Sequence, residues 1–167
     1  MMPEADPLSA AQTDQGPDQR PPLASPVYCV ARYTVIEGAI DIAQFETALR
    51  QVVDEVDSLR LQFIESEHGL SQFIGSPLWS LSRIDVSGQA DPYAAAHAWM
   101  RADYEQPGNV LQEPLFRYAL LHTAPDRVLW YQRYHARVID ELGAHLIAQR
   151  VAHGYRTLCA GMSPPSE

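Results

Sequence analysis

The chain has 167 residues, with 21 acids against 12 bases and a net charge of −9. That length is enough for one domain with a sizeable core, and so acidic a chain carries no electrostatic footprint for nucleic acid or an anionic membrane surface. All twelve bases are arginine, a bias to which no function attaches.

Residues 1–26 are rich in Pro, Gln, Asp and Ser and read as a mobile arm. "LSAAQ" at 8–12 is expected to form one helical turn before Gly16 and Pro17 stop it. The arm has neither the basic start nor the apolar run of a signal peptide. No apolar run in the sequence is long enough to span a bilayer, so a soluble, cytoplasmic protein is expected.

"VYCVARYTVIE" at 27–37 predicts a strand, and Gly38 ends it. Asp41 can cap a helix running to about Val56, with Ile42, Phe45, Leu49, Val52, Val53 and Val56 at helical spacing. "LRLQFIES" at 59–66 and "LSQFIG" at 70–75 read as a hairpin that turns at His68-Gly69. "SRIDVSG" at 82–88 holds a short strand, and Asp91-Pro92 opens a second helix to about Glu105, stopped by Pro107-Gly108. Strands at 114–123 and 127–135 flank a Pro125-Asp126 turn. The last helix, from about Glu141 to Leu158, is expected to bury Leu142, Leu146, Ile147, Val151, Tyr155 and Leu158. Residues 161–167 read as a loose tail. The order β-α-β-β-β-α-β-β-α over 27–160 predicts one α/β domain, a mixed sheet with helices packed on one face.

"WYQRYHARVIDELGAHL" at 130–146 concentrates the candidate chemistry. His135 ends a strand and is followed by Ala136, three further residues, then Asp140 and Glu141. Tyr131, Arg133 and His135 share one face of that strand; Trp130, Gln132 and Tyr134 share the other. One face must meet the helices, and alternation alone leaves open whether the other is core or groove. Glu141, His145 and His153 lie along one helix, but three groups on a straight helix cannot surround an ion, so a solvated face and no metal are expected. Cys29 and Cys159 match no metal or disulfide spacing. Ser25, Ser58 and Cys29 lack a nucleophile's context, and His68, His97 and His122 carry no evident chemistry.

"DSLRLQF", "PLFRYAL" and "LWYQRYHARVIDE", in that order and preceded by "LSAAQ", resemble the motifs of a nonribosomal peptide synthetase condensation domain. The likeness covers residues 8–160 and is to the N-terminal lobe, one chloramphenicol acetyltransferase-like half of the domain; the second lobe is expected to be missing. The family's signature is two histidines, three residues, then Asp-Gly. The resemblance places His135 at the first histidine, Ala136 at the second, Asp140 at the aspartate and Glu141 at the glycine. It implies that the second histidine assists attack of a carrier-bound amine on a carrier-bound thioester. Such a proton-transfer group is worth roughly 10²–10⁴ in rate, and alanine cannot replace it.

The same resemblance gives His135 and Asp140 structural roles and pairs Asp140 with Arg60 in an ion pair. It further implies a noncatalytic module that docks a carrier protein or a tailoring enzyme, with no cofactor of its own beyond contact with a partner's phosphopantetheine. An apolar face left by the absent lobe is expected to be covered by a partner or by a second copy in a homodimer. The alternative is an active acyltransferase whose site is rebuilt by oligomerisation, with His135 as base.

Overall fold

The computed structural model describes residues 6–7, 29–106, 110–111 and 114–161. Apart from Asp6 and Pro7, the expected arm and its turn at 8–12 lie outside the described residues. So do the strand start at 27–28, the helix stop at Pro107-Gly108 and the tail beyond 161.

In chain order the elements are β1 (Asp6–Pro7), β2 (Cys29–Glu37), α1 (Ile42–Glu55), α2 (Asp57–Arg60), β3 (Leu61–Ser66), β4 (Gly69–Ile74), β5 (Ser82–Asp85), α3 (Pro92–Glu105), β6 (Phe116–Ala124), β7 (Arg127–His135) and α4 (Glu141–Cys159). The main sheet has the order β2-β7-β6-β5 and is antiparallel except where β5 runs parallel to β6. The parallel pair follows from its connection: a crossover helix, α3, separates β5 from β6. A smaller antiparallel sheet, β1-β4-β3, is built on the β3–β4 hairpin.

The helix starts obey their caps. Asp41 accepts a hydrogen bond from Gln44 N at 3.1 Å and Asp91 one from Ala94 N at 3.0 Å. Each such cap satisfies a backbone donor that the first helical turn leaves unpaired. Pro92 follows its cap directly, where its missing N–H removes nothing.

Side-chain alternation gives the main sheet two different faces. Phe116, Tyr118, Leu120, Val128, Trp130 and Tyr134 face α1 and α4 and form the larger core with Phe45, Leu49, Val53, Ile147 and Val151. Ala119, Leu121, Leu129 and Tyr131 point the other way, against Ala96 and Met100 of α3. Fully burying side chains of this size stabilises the fold by about 1.5–3 kcal/mol each. Both faces of β6 and β7 are therefore covered, which explains why these strands are almost continuously apolar.

Four expectations are corrected. Helices do not sit on one face: the βαβ crossover carries α3 to the face opposite α1 and α4. Leu59 and Arg60 form the end of the short helix α2 rather than the start of a strand. The hairpin turns at Glu67-His68, because Ser66 pairs with Gly69, whose φ of +108° suits glycine. Leu142 and Leu146 are 65% and 49% exposed, so the buried stripe of α4 is instead Ala144, Ile147 and Val151. Helix α4 meets α1 along a narrower line than its apolar content implies.

Candidate functional site

Strand β7 delivers His135 to the end of the sheet, and its backbone N–H is held by Leu115 O at 2.7 Å. The chain then turns tightly. Val138 N and Ile139 N both donate to His135 O, at 3.0 and 3.2 Å. Ile139 drops into the core, and Asp140 starts α4.

The His135 ring is 7% exposed, and its Nδ1 accepts the Arg137 backbone N–H at 3.2 Å. An accepting Nδ1 leaves the proton of a neutral imidazole on Nε2, so that atom donates rather than accepts. Ala136 is exposed at the crest of the turn and presents a methyl group.

Asp140 is the N-cap of α4: its Oδ1 accepts from Gly143 N at 2.7 Å. Gly143 allows this closeness, since a Cβ there would stand 3.2 Å from that same oxygen. Glu141 occupies the first turn of α4, where a carboxylate complements the helix dipole. No non-glycine residue among those described has a positive φ, so the backbone at 141 makes no demand for glycine.

The expected Arg60–Asp140 ion pair is not formed. Arg60 donates to Gly75 O and Asp54 O, both at 3.2 Å, and lies 3.6 Å from Asp57 Oδ1. The reason is local. Arg60 ends α2 beside unpaired carbonyls at the C-terminal end of α1 and at the hairpin exit, while Asp140 finds its donors in its own helix. Glu141, His145 and His153 are all exposed.

Sequence reasoning missed a charged cluster on the α3 face of the sheet. Asp103, only 3% exposed, lies 2.7 Å from Arg117 and 3.1 Å from Arg133. It also accepts the Tyr131 hydroxyl at 2.9 Å, and its backbone carbonyl takes a bond from Arg133. Arg117 and Arg133 are direct cross-strand partners, a repulsive arrangement that the shared carboxylate offsets. Burial, then the nearby Asp103 charge, pushes the Tyr131 phenol well above its ordinary range.

Cys29 lies opposite His135 across the β2–β7 pair. Burial raises its thiol; Arg133 pulls it down and Asp103 pushes it up. A signal for the cluster existed: Ala96, Met100 and Asp103 share one helical face, so an acid interrupts an apolar stripe.

The sequence matches the family model described as "Condensation domain" over residues 20–167. It is 43% identical over 160 residues to a dimodular nonribosomal peptide synthase of Bacillus subtilis, covering 95% of this chain and 7% of that protein. It is 40% identical over 157 residues to an isonitrile lipopeptide synthase of Streptomyces coeruleorubidus, covering 93% of this chain and 11% of that protein. The starter condensation domain of rhizomide synthetase superposes with a TM-score of 0.91 at 57% identity, over 98% of this chain and 40% of that one. The chain thus spans less than half of the solved domain and about a tenth or less of the curated synthetases. From the sheet, the turn after β7 and these matches together, the chain belongs to the condensation domain family of nonribosomal peptide synthetases.

Proposed function

We propose that this chain serves peptide assembly as a noncatalytic condensation-type module, binding a carrier protein or a tailoring enzyme rather than joining two substrates. One observation carries this reading. The residue after His135 is an exposed alanine, and the ring of His135 beneath it already accepts the Arg137 N–H. Proton transfer from an attacking amine needs a free acceptor within about 3 Å. A methyl group is none, and Nε2 of His135 is a donor in this tautomer.

The exposed Leu142 and Leu146 support a docking role. Leu146 lines a groove of about 640 Å³ between α1 and α4, together with Ala48, Val52, Ile147 and Gly154. A partner of the assembly line, or a second copy, would bury that apolar ground.

The alternative is catalysis by His135 in an oligomer, and it requires the ring to give up Arg137. The test mixes the protein with acyl-loaded and aminoacyl-loaded carriers and follows condensed product. We expect none above background, together with saturable binding of a carrier or of a tailoring enzyme from a peptide-assembly pathway. Product that disappears in His135→Ala would overturn the reading, as would failure to bind either kind of partner.

A further inference from the structure

Where β6 runs past the start of β5, a cavity of about 230 Å³ opens beside the Asp103 cluster. Its polar lining comes from Ser80, Ser82, Gln106, Arg117 and Arg133. Two guanidinium groups share the single Asp103 carboxylate here, which leaves one positive charge in excess within a chain of net charge −9.

The two arginines differ in how they are used. Arg133 is 15% exposed and is spent on Asp103, through both the carboxylate and the backbone carbonyl. Arg117 is 39% exposed and lies 2.7 Å from Asp103 Oδ1, yet no aligned hydrogen bond joins them: that oxygen has no hydrogen-bond partner. The carboxylate meets only the Nη1 end of Arg117, and no aligned hydrogen bond joins the rest of its guanidinium to a described residue. Its carbon centre sits over the Trp99 ring at 5.5 Å, which holds the plane of the fork in place. A guanidinium carries five N–H donors in a rigid array that matches the oxygens of a phosphate or a similar oxyanion.

We propose that this cavity is a binding site for a tetrahedral oxyanion, either free phosphate or a phosphate ester. Arg117 supplies the fork and the positive charge in excess; Ser80 and Ser82, which also line the cavity, bring hydroxyls that can donate. Asp103 acts through the arginines as a positioning residue. The site does not depend on what position 136 does.

The experiment follows the arginine Nε–Hε signals of the full chain by NMR during titration with inorganic phosphate and, separately, methyl phosphate, at constant ionic strength set with chloride. A saturable shift of the Arg117 signal is expected with at least one of them. The tighter of the two identifies the free ion or the ester as the natural form. Arg117→Gln is expected to weaken binding at least tenfold. Should that variant not fold, Arg117→Lys, which keeps the charge but loses the fork, is expected to weaken it at least threefold. A shift that chloride reproduces, a shift that does not saturate, or wild-type affinity in the folded variant would overturn the proposal.

Discussion

The two faces of the main sheet belong to the same four strands and do different work. On the α1/α4 side, Trp130, Tyr134, Tyr118 and Leu120 meet helices along most of their length. The hydroxyls of Tyr118 and Tyr134 bond to each other at 3.0 Å inside the core, and the Trp130 indole Nε1 is the polar atom among these four side chains left without a hydrogen-bond partner. On the α3 side, Leu121, Leu129 and Tyr131 are covered, but one helix does not reach the end of the sheet. The last turn of α3 meets Arg117 and Arg133 through Asp103, and Cys29 and His135 lie farther along the strands. Polar and charged groups collect where cover stops, because a charge can be kept only where water or a partner reaches it. The face with two helices stores stability; the face with one keeps chemistry.

The contrast can be broken most sharply at Trp130. It is 2% exposed and meets Phe45 edge-on, with ring centroids 5.1 Å apart. Trp130→Ala is expected to lose about 3–5 kcal/mol in urea denaturation, since the rigid layer between strand and helix cannot collapse into the cavity. A loss below about 1 kcal/mol would mean that this face is not the stabilising one.

On the other face, Asp103→Ala should cost about 3 kcal/mol, because two arginines and the Tyr131 hydroxyl lose their common partner. The urea midpoint measures it. Unlike the tryptophan variant, this one is expected to recover part of its stability in high salt, where screening relieves the arginine pair. Equal losses at low and high salt would show that charge is not what Asp103 contributes.

The smallest effect belongs to the turn that joins the faces. Asp140→Ala removes one helix cap and is expected to cost about 1 kcal/mol. Combined with Arg60→Ala it should be additive to within about 0.5 kcal/mol, since the two side chains have separate partners. Coupling well above that would restore the direct ion pair that the structure replaces with two local contacts.

Much of this was legible in the residues. The caps at Asp41 and Asp91, the Pro125-Asp126 turn and the period of each strand are short-range features, set by a few neighbouring residues and their backbone preferences. The motif around His135 was visible for the same reason, as was the methyl beside it. Several errors share one cause. The side of α3, the exposure of Leu142 and Leu146 and the meeting of Asp103 with Arg117 and Arg133 all concern residues far apart in sequence or the packing of whole elements, whereas the helix at Leu59–Arg60, the turn at Glu67-His68 and the near partners of Arg60 are local features.

The order of residues by itself determined most of the elements, their caps and the alanine directly after His135. Such features depend on backbone dihedrals and on atoms a few bonds away. Tertiary structure alone decided which helix covers which face, and so where charge could survive half-buried. Burial and long-range ion pairing arise only when strands separated by whole helices are brought side by side, and no local pattern encodes that distance.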